Sequence, residues 1–78
     1  LRRDGRYVDA AARLEQALRE SWPARTREVL HYELGTILDA HLDGGERACA
    51  HWHEHLARFP RTRYARAVAD ARQRRGCT

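Results

Sequence analysis

The chain lacks lysine and asparagine, and all 15 of its basic residues are arginine. Residues that favour β-strands are scarce: there is a single isoleucine, and no stretch alternates apolar and polar residues over the length of a strand. Arginine and the abundant alanine both favour helix. The sequence therefore excludes a mainly β fold and predicts an all-α protein.

Long apolar runs are also missing. No segment approaches the length of about 20 residues that a membrane-spanning helix needs, and no signal peptide opens the chain. A length of 78 residues allows one small domain. Because the first residue is Leu1 rather than methionine, we expect a piece of a longer protein, whose compartment the sequence does not identify.

Cysteine is limited to Cys49 and Cys77. Two cysteines are too few for a disulfide framework, and their spacing matches no metal-binding motif. Cys49 falls on the apolar side of a predicted helix and is interpreted as a small buried residue. Cys77 is interpreted as part of a loose tail, so the redox compartment stays open.

Signatures of catalysis are missing too. The chain contains no glycine-rich phosphate loop, and its only serine, Ser21, stands beside a predicted helix end. The thiol of Cys49 is a weak candidate for a nucleophile, because a buried thiol is usually unreactive. We therefore predict a protein that is not an enzyme, with no catalytic residue and no cofactor.

Four helices are predicted from apolar residues that recur at spacings of three and four. They cover approximately residues 6–20, 26–42, 46–58 and 62–75. Pro23 and Pro60 follow the ends of the first and third helices, because the residue before a proline disfavours helix. Thr26 and Thr62 are predicted N-caps, and residues 43–45 a turn. Connections this short make neighbouring helices antiparallel.

The chain is similar to itself at an offset of 38 residues. At this offset Ala10 falls on Ala48, and Leu14 falls on Trp52. Glycine-containing turns precede both segments. Self-similarity at such a period indicates stacked helical hairpins, each too small to bury its own apolar face.

The repeated segments resemble the tetratricopeptide repeat family. "GRYVDAAARLEQAL" (residues 5–18) resembles the second helix of one repeat, and "LHYELGTILDAHLDGGERACAHWHEHLARFP" (30–60) is similar to a complete repeat. "RTRYARAVADA" (61–71) resembles the first helix of another. His31 and His55 depart from the family pattern, since they take places that are usually apolar and small. The residues that match the pattern are Gly5, Tyr7, Ala10, Leu14, Ala17, Leu34, Gly35, Ala48, Trp52 and Pro60.

This resemblance implies one domain over residues 1–78, with antiparallel hairpins stacked as a short right-handed superhelix. Residues 1–23 would be the second helix of a partial repeat, 24–60 a complete repeat, and 61–78 the first helix of a further partial repeat. Because stable arrays usually have at least three repeats, we expect further repeats in a longer chain or self-association through the terminal helices. The pattern "HW…L…FP" also resembles degenerate repeats of bacterial proteins.

The resemblance further implies a non-catalytic scaffold, in which the first helices of the repeats line a concave groove for a peptide or a partner helix. Carried over to this sequence, the partner-binding residues are Tyr32, Thr36, Asp39 and Arg72. Tyr32 is the predicted anchor, because aromatic residues with a polar end recur in binding hot spots. The chaperone-binding members clamp a carboxylate with lysine and asparagine, which this chain lacks. The remaining residues of the predicted groove are Val29, Ala65, Ala69 and Gln73.

The histidine-rich stretch "HWHEH" allows an alternative, a metal site. At about 100° per residue, His51 and His55 share one side of the helix, and His53 lies on another. Zinc takes three or four ligands, so such a site would also need His31 from the preceding helix. In the simpler interpretation, which we favour, His31 and His55 pack between helices while His51 and His53 lie at the boundary or in solvent, and no metal ligand is predicted.

Nucleic-acid binding is a second alternative. Residues 61–75 hold six arginines and only one acidic residue, Asp70, whereas the net charge of the whole chain is +4. Arginine suits phosphate contacts. However, the helix dipole also favours cations near a helix C-terminus, and the rest of the chain is close to neutral. Protein binding is therefore the favoured interpretation.

Overall fold

The computed structural model describes residues 3–42 and 45–77. Its helices are α1 (Arg3–Ala17), α2 (Ala24–Ala40), α3 (Gly45–Arg58) and α4 (Ala65–Arg75). These residues contain no strand, and each helix packs on the next one along the chain. The Cα atoms span 38 × 32 × 15 Å, which is a slab rather than a sphere. The predictions of an all-α fold and of four helices are confirmed.

α1 begins and ends earlier than predicted. It ends early because its last turn tightens after Ala17. The backbone N–H groups of Arg19 and Glu20 donate to the carbonyl oxygens of Gln16 and Ala17 at 3.1 and 3.0 Å, the shorter pattern of a 3₁₀ turn. The indole Nε1–H of Trp22 donates to the same Ala17 oxygen at 2.7 Å. These bonds satisfy the carbonyl groups at the end of the helix without a further α-helical turn.

Both predicted N-caps are wrong. α2 begins at Ala24, directly after Pro23, whose φ of −55° is already close to the helical value, so that no side-chain cap is used. Thr26 therefore lies inside the first turn. Thr62 lies outside α4, which begins at Ala65, and its hydroxyl group is used for contacts with other elements.

Consecutive helices are antiparallel, as predicted. The ring of Tyr7 near the start of α1 stacks on that of His41 just after the end of α2, with centroids 3.7 Å apart. His31 in the first half of α2 contacts His55 near the end of α3. Each helix therefore returns along the one before it.

α2 and α4 run in the same direction, side by side. Near the start of α2, Glu28 contacts Thr62, which lies just before α4, at 2.6 Å. At the other end of α2, Asp39 contacts Arg74 of α4 at 3.4 Å. The N-terminal ends of α2 and α4 therefore lie together, and so do their C-terminal ends. The antiparallel α3 packs against both helices.

Four of the residues that match the repeat pattern form an apolar seam between α2 and α3. Leu34, Gly35, Ala48 and Trp52 are all buried, and a Cβ atom on Gly35 would lie 2.4 Å from Cζ3 of Trp52. Only a glycine permits this approach of the indole to the α2 backbone. On α1 the buried alanine is residue 11 rather than residue 10, so the offset of 38 holds for α1 only to within one residue. Two clusters form the buried core: Ala11, Leu34, Leu38 and Ala48; and Trp52, Val68 and Ala71.

The two cysteines form a disulfide, with Cα atoms 5.6 Å apart. The interpretation of Cys77 as part of a loose tail is therefore wrong, and Cys49 is not a free thiol. The backbone explains the pairing. α4 ends at Arg75 as predicted, Gly76 follows it in the left-handed conformation with φ 72°, and the Cys77 N–H donates to the Arg72 carbonyl oxygen at 2.9 Å. This cap turns the chain back from the end of α4 to α3.

Two further predictions concern the turn between α2 and α3 and the absence of a membrane-spanning helix. Of the predicted turn at 43–45, residues 43 and 44 lie outside the described residues. None of the described helices has both the length and the apolar character to cross a bilayer.

Candidate functional site

An open groove of about 340 Å³ separates α2 from α4. Three of the predicted partner-binding residues, Tyr32, Thr36 and Asp39, line it from α2. The buried Trp52 of α3 lies behind them and forms the floor. The α4 side consists of Ala67, Asp70, Ala71 and Arg74.

Tyr32 both lines this groove and supports it. Its ring stacks on that of Tyr64 with centroids 3.9 Å apart and planes within 3° of each other, and it lies 5.7 Å from the Trp52 ring. The residue is half-buried. Removing its side chain would thus remove packing between α2 and α4 as well as any contact with a partner.

Asp39 joins the C-terminal ends of α2 and α4. Its carboxylate accepts from the guanidinium groups of Arg74 and Arg75, and Arg75 also donates to the Asp39 carbonyl oxygen. Only 11% of the Asp39 side chain is exposed. The charge of Asp39 is therefore paired within the protein. Asp39 holds α2 and α4 together at one end of the groove and is not free to bind a partner.

Arg72, the fourth predicted residue, does not lie in the groove. It lines a different depression, beside Cys49 and Cys77. Measured around α4 from the buried Val68, Arg72 lies about 40° to one side and Arg74 about 120° to the other, so Arg74 faces α2 instead. The other predicted groove residues that do not line it are Val29, Ala65, Ala69 and Gln73.

The arginines of residues 61–75 do not form one free basic stripe. Arg74 and Arg75 are paired with Asp39, and Arg72 is half-buried. The exposed arginines without a contact to Asp39 are Arg61, Arg63 and Arg66. The positive charge available to a phosphate backbone is thus smaller than the sequence alone indicates.

Three histidines cluster where α2 meets α3. His31 and His55 are 5% and 0% exposed, His51 is half-buried, and His53 is exposed. The His31 ring stacks on that of His51, with 3.8 Å between centroids, and lies 5.1 Å from that of His55. The interpretation of His31 and His55 as packing residues is confirmed.

A chain of hydrogen bonds connects this cluster to Glu28. The Thr62 hydroxyl lies 2.6 Å from Glu28 Oε2 and 2.9 Å from His55 Nε2, and His55 Nδ1 lies 2.9 Å from His31 Nδ1. A carboxylate only accepts, so Thr62 donates to Glu28 and accepts from His55 Nε2–H. His55 Nδ1 is then unprotonated and accepts from His31 Nδ1–H. One carboxylate thus sets both tautomers and leaves His31 Nε2 as a bare acceptor.

His51 is held separately. Its Nε2–H donates to the backbone carbonyl oxygen of His31 at 2.7 Å. Both ring nitrogens of His55, Nδ1 of His31 and Nε2 of His51 therefore bind protein atoms rather than a common point. Within residues 3–42 and 45–77, no group of three or more histidine, cysteine or acidic side chains is arranged to hold a metal ion.

Burial keeps the cluster uncharged. Burial, reinforced by the charges of His51 and His55, lowers the pKa of His31 from 6.5 to about 3. Burial also lowers the pKa of His51 and of His55, although the His31 carbonyl and Glu28 respectively oppose it. The hydrogen bond from Thr62 lowers the pKa of Glu28. At neutral pH the relay therefore consists of neutral imidazoles and one carboxylate.

Mild acid is expected to destabilise the fold. Between pH 6.5 and about 3 the unfolded chain binds a proton at His31 that the folded chain does not, so stability falls as pH falls. His31 alone should lower the free energy of unfolding by about 2 kcal/mol between pH 7 and pH 5. Urea titrations at both pH values measure this. His53→Ala, at an exposed position, should keep the dependence, whereas His31→Leu should weaken it. A wild-type free energy that is the same at both values would contradict the assignment.

Sequence reasoning missed the acceptors that organise this cluster. The sequence predicts Thr62 as a helix cap and predicts no role for Glu28. Their contacts join residues that are far apart in the chain, such as Glu28 and Thr62. The available signal was the departure of His31 and His55 from the family pattern, because polar residues at packing positions require buried hydrogen-bond partners.

Comparison with protein-family models, curated proteins and solved structures finds no match to this chain.

Proposed function

We propose that this chain is a short tetratricopeptide-repeat-like scaffold, which binds a peptide or a partner helix in the groove between α2 and α4. One observation carries the proposal: α2 and α4 lie side by side in the same direction, with the antiparallel α3 packed against both. Stacked helical hairpins place the first helices of successive repeats in this relation, and such helices form the wall of a groove.

The chemistry of the groove supports a protein ligand. Its floor is aromatic and apolar, with Trp52 and Ala71, while Thr36 and Asp70 supply polar groups at its sides. Apolar centres with polar rims are typical of protein interfaces. We expect the partner to insert an apolar side chain over Trp52 and to place a hydrogen-bond donor or a cation near Asp70.

The groove is also held in shape before any partner binds. Glu28 joins the start of α2 to Thr62 and to the Arg63 backbone N–H, which lies 2.8 Å from its carboxylate. Asp39 and its arginine partners join the opposite ends. A surface fixed in this way loses less conformational entropy on binding.

A blocking variant tests this function. Peptides selected from a displayed random library against the wild-type protein should shift the backbone amide NMR signals of Thr36 and Asp70. Ala67→Arg fills the groove from α4 and should weaken their binding by about tenfold or more, a loss of about 1.4 kcal/mol. The matched control is Ala12→Arg at an exposed position of α1, which should leave binding unchanged. Equal affinity of both variants, or shifts confined to other surfaces, would overturn the proposal.

A further inference from the structure

A second cavity, of about 430 Å³, opens between α1, α2 and α3 and shares no lining residue with the groove. His31 lies in its wall together with Glu54 of α3. Leu18 and Leu34 provide an apolar side, and Arg19 and Arg27 provide positive charge. Its volume is within the range of about 300 to 1,000 Å³ that is usual for small-ligand sites.

Two hydrogen-bond acceptors face each other in this cavity, and no donor from residues 3–42 or 45–77 joins them. The relay from Glu28 leaves Nε2 of His31 unprotonated, and the Oε1 atom of Glu54 lies 4.0 Å from it. His31 is 5% exposed, so little water reaches this nitrogen from elsewhere. A single donor atom about 2.8 Å from each acceptor spans this separation, provided that it carries at least two hydrogens. A primary ammonium group meets that requirement.

The remaining charges of the cavity select a ligand that is not a simple cation. The other carboxylate oxygen of Glu54 is paired with Arg58 at 2.8 Å, and Glu15 is paired with Arg47 at 3.1 Å. Among the described residues, Arg27 donates to the backbone carbonyl oxygens of Leu18 and Glu20, at 3.5 Å, and the side chain of Arg19 is exposed. A cation alone would meet uncompensated arginine charge, so the ligand also needs an anionic group.

We propose that this cavity binds a free α-amino acid with an apolar side chain. The ammonium group lies between His31 Nε2 and Glu54 Oε1, the carboxylate faces Arg19 and Arg27, and the side chain contacts Leu18 and Leu34. This site is independent of the proposed peptide groove, and either could exist without the other.

Isothermal titration calorimetry with L-leucine tests the site. Two analogues each lack one charged group: L-leucinamide retains the ammonium, as a peptide N-terminus would, and 4-methylpentanoate retains the carboxylate. We expect saturable binding of L-leucine and about tenfold weaker binding of each analogue, the loss typical of one charged hydrogen-bonded group.

Two substitutions locate the site. Glu54→Gln and Arg19→Gln should each weaken L-leucine binding by about tenfold, while the exposed control positions Glu46→Gln and Arg61→Gln leave it unchanged. Glu54 is outside the relay, so its variant keeps His31 in place. The proposal is overturned if L-leucine does not bind at about 10 mM, if L-leucinamide binds as tightly, or if Glu54→Gln binds like the wild type.

Discussion

Replacing both cysteines, as Cys49→Ala with Cys77→Ser, is expected to lower the free energy of unfolding by about 3 to 4 kcal/mol. The disulfide joins positions 28 residues apart, and a crosslink of that span restricts the unfolded chain by about this amount. The disulfide ties the end of α4 to α3, because Cys77 directly follows this helix, whose buried residues are Val68 and Ala71. Urea unfolding of the oxidised protein and of the double variant measures the difference.

A reducing agent provides the control. Dithiothreitol should lower the stability of the wild-type protein to near that of the double variant, and should leave the double variant unchanged. Replacing both cysteines avoids a free thiol that could pair between molecules. Wild-type stability that does not respond to reduction would show that Cys49 and Cys77 are not joined in solution.

Gly35→Ala is expected to destabilise the protein by about 2 kcal/mol, even though alanine is the better helix former by about 1 kcal/mol. The added Cβ would lie 2.4 and 2.5 Å from Cζ3 and Cη2 of Trp52 and 2.9 Å from Cδ2 of His51. Trp52 is 1% exposed and cannot turn away into solvent. Relieving this clash therefore requires α2 and α3 to separate, which loosens the packing between them.

Gly5→Ala is the matched control for this substitution. Gly5 also lies in a helix, but a Cβ there would meet nothing within 4 Å. The variant should be as stable as the wild type or more stable by up to about 1 kcal/mol. Equal effects at Gly5 and Gly35, measured by thermal and urea unfolding, would mean that close packing at Gly35 is not what excludes alanine.

The helices and their seam could be predicted because the signals are local. Spacings of three and four give the apolar side of each helix, and the matches of Gly35 and Trp52 to a repeat pattern located the contact between α2 and α3. The helix ends were predicted less accurately where local contacts other than a side-chain cap start or end the helix. Pro23 started α2 without a threonine cap, and Trp22 helped to end α1 early.

The site was less predictable because it depends on rotation and on distant pairs. Arg72 and Arg74 are two positions apart and lie on nearly opposite sides of α4, and the weak apolar side of that helix did not set which of them faces the groove. The pairing of Cys49 with Cys77 depends on the left-handed turn at Gly76, whose direction no local spacing reveals. The hydrogen-bond relay from Glu28 to His31 is equally hard to predict from local spacing, since its partners come from different elements.

Trp52 connects the fold to the proposed function, because it packs on Gly35 and also forms the floor of the groove. A double-mutant cycle between the two residues tests that arrangement most directly. In the Trp52→Phe background, whose smaller ring removes the two shortest contacts and leaves only the one with His51 Cδ2, the cost of Gly35→Ala should fall by at least about 1 kcal/mol from its value of about 2 kcal/mol in the wild type. If Gly35→Ala costs the same in both backgrounds, the two residues do not touch as described and the groove does not have this floor.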